Sequence, residues 1–146
     1  MNKKVIILRG VSGCGKSTLA QYISDLYNLT YEDRVDVQNS VICTADDYFM
    51  KDGEYVFDVT KLGRCHEYCQ DKFENALRAE VGLVICANTN TKERDFKFYV
   101  DKAAEYGYDV FSLIVENRHG NKDSHNVPEE TLKKQEEGIK NSLKLR

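Results

Sequence analysis

Residues Gly10 to Thr18 read Gly-Val-Ser-Gly-Cys-Gly-Lys-Ser-Thr, two glycines with four residues between them and then Lys-Ser. This is the spacing of a phosphate-binding loop. The apolar run Val5-Ile6-Ile7-Leu8 stands directly before it. Leu19, Tyr22, Ile23, Leu26 and Tyr27 follow at helical spacing and are expected to form one buried face. Strand, glycine loop and helix in that order is the context the motif requires. Gly10, Gly13 and Gly15 allow backbone angles that side chains forbid, so successive N–H groups curl around phosphate oxygens. A helix beginning near Lys16 aims its positive end at the same anion. Gly13, Cys14, Gly15, Lys16, Ser17 and Thr18 are therefore expected to hold a nucleoside triphosphate. Lys16 supplies charge for the β- and γ-phosphates, and Ser17 offers its hydroxyl to Mg²⁺.

The chain has 146 residues, the length of one domain. A domain of this size buries roughly 68–70% of its unfolded surface, enough for a real core. Net charge is −3 and the isoelectric point about 5.7, against a broad non-specific nucleic-acid coat but compatible with a local basic groove. No apolar run approaches the roughly 18 residues that span a bilayer. The segment after Lys3 and Lys4 is too short for a signal peptide and suits a central strand. Five cysteines, Cys14, Cys43, Cys65, Cys69 and Cys86, include no Cys-x-x-Cys pair. Reduced, partly buried thiols in a cytoplasmic protein are expected. Cys65 and Cys69 share a helix face beside His66, with too few ligands for zinc.

Further along, apolar strand patterns alternate with helical ones. Strands are expected at 41–44, 83–86 and 109–115. Helices are expected from about Thr60 to Ala79 after a loop with Gly53, from a cap at Thr91 to Gly107 with Phe96, Tyr99, Val100, Ala103 and Ala104 inward, and after Pro128. The alternation implies one α/β domain over residues 1–146: a parallel sheet of four to five strands with helices on both faces. Chemistry in such sheets lies at the carboxyl ends of the strands.

After the second strand comes Thr44-Ala45-Asp46-Asp47-Tyr48-Phe49. A carboxylate there, beside a bound phosphate, is suited to accept the proton of an attacking hydroxyl, which makes Asp46 the candidate base. Both acids could instead simply open a turn. Asp47 has a water-mediated hold on Mg²⁺, a turn cap or the acceptor as its possible tasks. After the third strand, Asn88, Thr89 and Asn90 offer neutral groups that orient an acceptor or the Asp46 carboxylate, or cap the next helix. After the fourth lie Arg118, His119, Gly120, Lys122 and His125. A glycine-containing basic loop before a proline-started helix is what a phosphate-closing lid requires. Arg118 is the leading cation because guanidinium grips phosphate in two-pronged fashion, and Lys122 is second. The alternative is a solvated basic loop. Asn121-Lys122-Asp123 falls short of the guanine-reading Asn-Lys-x-Asp motif, because Ser124 stands where its Asp belongs.

The set G-V-S-G-C-G-K-S-T, T-A-D-D-Y-F, A-N-T-N and R-H-G-N with N-V-P-E-E, in that order over nearly the whole chain, resembles the phage-type polynucleotide 5′-kinase family. The resemblance implies a P-loop NTPase/kinase fold with a lid, and transfer of the γ-phosphate of ATP, with Mg²⁺, to a 5′-hydroxyl of RNA or DNA. Lys16 and Ser17 would handle the nucleotide and metal, Asp46 would be the general base, and Arg118 with Lys122 would form the lid. Two positions depart from the family pattern. Phe49 stands where an acceptor-side arginine is expected, and Asn88 where an acid precedes Thr-Asn. Both bear on the acceptor rather than on ATP. The phosphatase half of the bifunctional enzyme has no counterpart in this sequence.

Three functions are compatible with these residues. The first is a kinase acting on a nucleic-acid hydroxyl, with a nucleic acid or nucleotide as partner and no membrane. The second is a small-molecule or nucleoside kinase on the same scaffold, which the low isoelectric point and Phe49 suit. The third is a non-catalytic nucleotide-binding module, against which Lys16, Ser17, Asp46 and Arg118 speak together. Tyr48, Phe49, Tyr55 and Phe57 would suit stacking on a base in either kinase.

Overall fold

The apolar run behind the glycine loop forms β1 (Lys4–Arg9), with Val5, Ile7 and Leu8 fully buried, as befits a strand between two helical layers. A computed structural model describes residues 2–31, 39–117 and 127–142. In it β1 is flanked by β5 (Leu83–Cys86) and β6 (Asp109–Ile114), and β2 (Ser40–Cys43) lies outside β5. The four-stranded order β2-β5-β1-β6 is parallel throughout. Ile7 pairs with Cys86 and Cys86 with Cys43, so the loops after β1, β2 and β5 leave the sheet side by side.

Among the described residues four helices accompany the sheet: α1 (Lys16–Thr30), α2 (Leu62–Arg78), α3 (Glu93–Glu105) and α4 (Glu129–Ser142). Alternation along the strands divides the core. Val5, Ile7, Val84 and Cys86 meet Cys69, Phe73 and Leu77 of α2 and Tyr99 and Ala103 of α3. Leu8, Leu83 and Ile85 meet Ala20 of α1, with Ile23 and Tyr27 beside them. Phe73 and Tyr99 lock the first layer edge to face, with ring centroids 4.9 Å apart. This is the α/β P-loop kinase fold, with four strands in the parallel sheet. Among the described residues no helix is long and apolar enough to cross a membrane.

Several local expectations are corrected. On α1, Tyr22 and Leu26 are 65% and 66% exposed, and the buried positions are Lys16, Ala20 and Ser24. Polar residues occupy the inner stripe because each has a partner there. The Ser24 and Ser40 hydroxyls lie 2.6 Å apart, and Lys16 Nζ donates to the Gly10 carbonyl of the glycine loop. The segment around Gly53 is a hairpin, β3 (Met50–Lys51) with β4 (Glu54–Tyr55). Asp52 (φ 50°) and Gly53 (φ 82°) make the two-residue left-handed turn whose twist suits such a pair. Next, a 3₁₀ turn (Val59–Lys61) is capped by Asp58, so α2 starts at Leu62. The third helix begins at Glu93 with Lys92 as its cap, and Ala104 faces outward. Thr91 is buried instead, its hydroxyl 3.3 Å from the Asp95 carboxylate, which also takes the Lys92 amide at 3.1 Å.

The far end of the chain returns to β1. Arg9 donates from Nε to the Asn90 carbonyl (2.9 Å) and from Nη2 to the Ser142 hydroxyl of α4 (2.5 Å). Its guanidinium lies 4.3 Å from the Phe96 ring centre. Burial pulls this guanidinium below its ordinary pKa, with the Asp95 charge acting in the opposite direction.

Candidate active site

Between β1 and α1 the backbone turns through Gly13 (φ 81°) and Gly15 (φ 101°), both in the left-handed region, so this course needs glycine. Gly15 caps α1 without a side-chain hydrogen bond, and no acid stands in the first turn. The amide end of α1 is thus left to an outside anion. Lys16 Nζ folds over the loop to the carbonyls of Gly10 and Val11, both at 2.9 Å, and lies 3.6 Å from Cys14 Sγ. The loop is braced from β5, since the Gly10 amide donates to the Thr89 carbonyl at 2.9 Å.

A 3₁₀ turn (Ala45–Phe49) follows β2, opened by Thr44, whose hydroxyl accepts the Asp46 amide at 3.3 Å. The adjacent acids part company here. Asp46 is directed into the cleft, and the Tyr55 hydroxyl donates to its Oδ1 at 3.3 Å. Asp47 is drawn to the flank of α2 by Lys72, with Nζ to Oδ2 3.5 Å. The expected pairing of Asp47 with the acceptor is not one this placement brings about.

One cleft of about 560 Å³ gathers most of the expected residues: Gly13, Gly15, Lys16, Ser17 and Thr18 on one wall, Asp46 on another, Asn88 and Thr89 at the floor. Its size is that of a small-molecule site. Cys14 does not line the cleft: its side chain is buried against Gly10 and its amide donates to the Val11 carbonyl at 3.2 Å. Asn90 departs further from an acceptor role. It is 2% exposed, held at φ 47°, and donates to the Leu8 carbonyl at 3.0 Å. It pins β5 to the end of β1 behind the loop. Arg118 and Lys122 lie outside the described residues.

Asn88 reaches two ways. Its side-chain oxygen accepts the Ala45 amide at 2.8 Å, and its Nδ2 points to Cys69 Sγ and the Tyr99 hydroxyl, both 3.4 Å away. All five cysteines are buried and free, Cys69 and Cys86 among them beside Asn88. The Cys69 thiol is pulled down to about 7, chiefly by hydrogen bonding with Cys86; burial opposes this, while Tyr99, Asn88 and Lys72 add to it. Burial pushes Cys86 well up and Cys43 up to about 12. Among the described residues no cluster of three or more His, Cys, Asp or Glu side chains is arranged to hold a metal ion.

The cleft has residues beyond those expected. Leu62, Cys65 and His66 join Phe57, a ring expected to suit stacking, in an apolar and aromatic wall of the cleft that also holds Asp46. Phe57 is 53% exposed although its ring packs 5.2 Å from the buried Phe49. Gln135 arrives from α4 and accepts the Ser12 amide at 2.9 Å. Helical spacing could have flagged Leu62, Cys65 and His66 together. Nothing in the sequence links Gln135 to Ser12.

The family described as "AAA domain" matches residues 5–141, and this chain belongs to it. Over 106 residues the chain is 34% identical to human NEDD4-binding protein 2, covering 73% of this chain and 5% of that protein. Two solved structures share the fold. One is the Pnkp1/Rnl/Hen1 RNA repair complex, with TM-score 0.68 at 19% identity, covering 99% of this chain and 46% of that one. The other is Mycobacterium tuberculosis APS kinase CysC in complex with AMPPNP and APS, with TM-score 0.53 at 14% identity, covering 97% of this chain and 73% of that one. This chain thus spans a small fraction of the curated relative and under half of the repair-complex chain.

Proposed function

We propose that this chain is a single P-loop kinase domain that transfers the γ-phosphate of ATP to a nucleic-acid hydroxyl, a polynucleotide 5′-hydroxyl first among them. The observation that carries this reading is that Lys16 and Ser17 share one cleft with the Asp46 carboxylate, an anion cradle facing a base. Membership of the AAA domain family and the fold shared with an RNA repair complex and with APS kinase support it.

The chemistry follows from the placement. Loop amides and Lys16 bind and orient the phosphates. Asp46 takes the proton of the acceptor hydroxyl as its oxygen bonds to the γ-phosphorus and the bond to the ADP oxygen breaks. The Ser17 hydroxyl at the cleft surface is a hard oxygen donor, the kind Mg²⁺ takes alongside phosphate oxygens, and fits it. The metal would supply charge neutralisation of the phosphates. Arg118, with Lys122, serves as the cation on the phosphate in transit. Thr89 and the wall of Phe57, Leu62 and His66 face the acceptor.

The second reading, a nucleoside or small-molecule kinase, is favoured by one observation: Phe49, at the acceptor side, is 3% exposed among aromatic rings and provides no cation for a phosphate backbone. Labelled ATP offered to 5′-hydroxyl RNA, 5′-hydroxyl DNA, nucleosides and small alcohols separates the readings. Label on oligonucleotide ends is the expected result. Label on small molecules alone establishes the second reading, and tight ATP binding with no label establishes a non-catalytic module.

A further inference from the structure

We propose that Tyr55 is a positioning residue for the base, its hydroxyl fixing the direction of the Asp46 carboxylate; this rests on Asp46 acting as the base, as proposed above. Nine residues separate the two, and the hairpin closes the distance. The left-handed pair Asp52 and Gly53 reverses the chain, and the register sets Tyr55 opposite Met50. The Val56 amide then donates to the Phe49 carbonyl at 2.8 Å. The Tyr55 ring leans on Phe49 with centroids 6.0 Å apart, and Phe49 is itself buried in the core. The phenol therefore stands on an anchored base when it donates to Asp46 Oδ1 at 3.3 Å.

The carboxylate needs such a fixture. Asp46 is exposed, and the Thr44 hydroxyl holds its backbone amide. An exposed Asp side chain moves among staggered rotamers, and only some of them aim it at an acceptor. A bond from a phenol on rigid packing selects one of them. A carboxylate has about four lone-pair sites, so the phenol leaves capacity for the proton of the substrate. Misplacement by an ångström at such a group is costly in rate. Of the neighbouring side chains, Tyr48 packs on Phe49 and Tyr68, and Lys72 pairs with Asp47.

The test is a double-mutant cycle on the full chain, with labelled ATP and a 5′-hydroxyl oligonucleotide. Tyr55→Phe keeps the ring on Phe49 and removes only the hydroxyl. It is expected to lower kcat about 3–10-fold, with KM for ATP and the melting temperature unchanged. In the Asp46→Asn background the same change is expected to do nothing further, because its effect runs through the carboxylate. Wild-type kcat in Tyr55→Phe, or an equal fall in both backgrounds, overturns the positioning role while leaving Asp46 as the base. No transfer by the wild-type chain, or full turnover by Asp46→Asn, overturns the base assignment and this inference with it.

Discussion

The side-chain oxygen of Asn88, at the end of β5, accepts the backbone N–H of Ala45, at the end of β2, at 2.8 Å. Ala45 opens the turn that presents Asp46, so a residue expected to touch substrate also ties the candidate base to the neighbouring strand. Its amide nitrogen faces the thiols and the Tyr99 hydroxyl, which couples the floor of the cleft to the α2–α3 core.

Asn88→Ala is therefore expected to cost about 1–3 kcal/mol of stability, the penalty for leaving a part-buried N–H without its partner. It should also reduce turnover about tenfold or more through the displaced Asp46. Chemical denaturation and steady-state kinetics check the two parts. Unchanged stability with lowered turnover would mean that Asn88 acts on the acceptor alone.

Lys16→Ala removes the ammonium group that lies over the loop. Both ATP affinity and turnover are expected to drop, turnover by roughly 10²-fold or more, the scale of losing one preorganised charge-stabilising donor. Calorimetric titration with ATP and single-turnover transfer measure these separately. Retained affinity would remove Lys16 from the phosphate site.

Phe57→Ala strips the exposed ring from the acceptor wall while leaving Phe49 in the core. Stacking of a base is worth about 1–3 kcal/mol, so KM for an oligonucleotide acceptor should rise roughly 5–150-fold, with KM for ATP held. The same rise for a nucleoside acceptor would favour the second reading, and no rise for either would exclude stacking there.

Stability should fall in alkali. Burial raises Cys43 from 9.0 and Tyr108 from 10.0, each to about 12, and lifts Cys86 above 9.0 as well. The unfolded chain releases these protons first, so stability is lost as pH climbs from about 9 towards 12. Cys69 runs the other way: its folded value of about 7 adds stability as pH rises from there to 9.0. Melting temperature is thus expected to hold or rise up to pH 9 and then decline, a decline that Cys43→Ala makes shallower. An equally steep decline in that variant would show that the thiol does not titrate as its burial dictates.

What was legible in the sequence was local. The loop from Gly10 to Thr18 is a contiguous motif, and the apolar runs of β1, β2 and β5 are bounded by turn residues, so the P-loop kinase fold could be read directly. Periodicity misled at α1, where a lysine bonded to the glycine loop and a hydrogen-bonded serine took the inner stripe from Tyr22 and Leu26. The hairpin at 50–55 escaped because two-residue strands carry no period, although the Asp52-Gly53 pair marks its turn. Asn88 and Asn90 look interchangeable as a sequence. Only the packing makes one a bolt for the base turn and the other a buried strut on β1.

Gln135 sits more than a hundred residues beyond Ser12, yet its side-chain oxygen holds that amide at 2.9 Å. A single proton serves one strong acceptor at a time. An anion that seats itself on Ser12 competes with Gln135 for it, and a glutamine so released loosens one tether of α4. Contact with an anion at Ser12 would thus be relayed to α4 through one hydrogen bond.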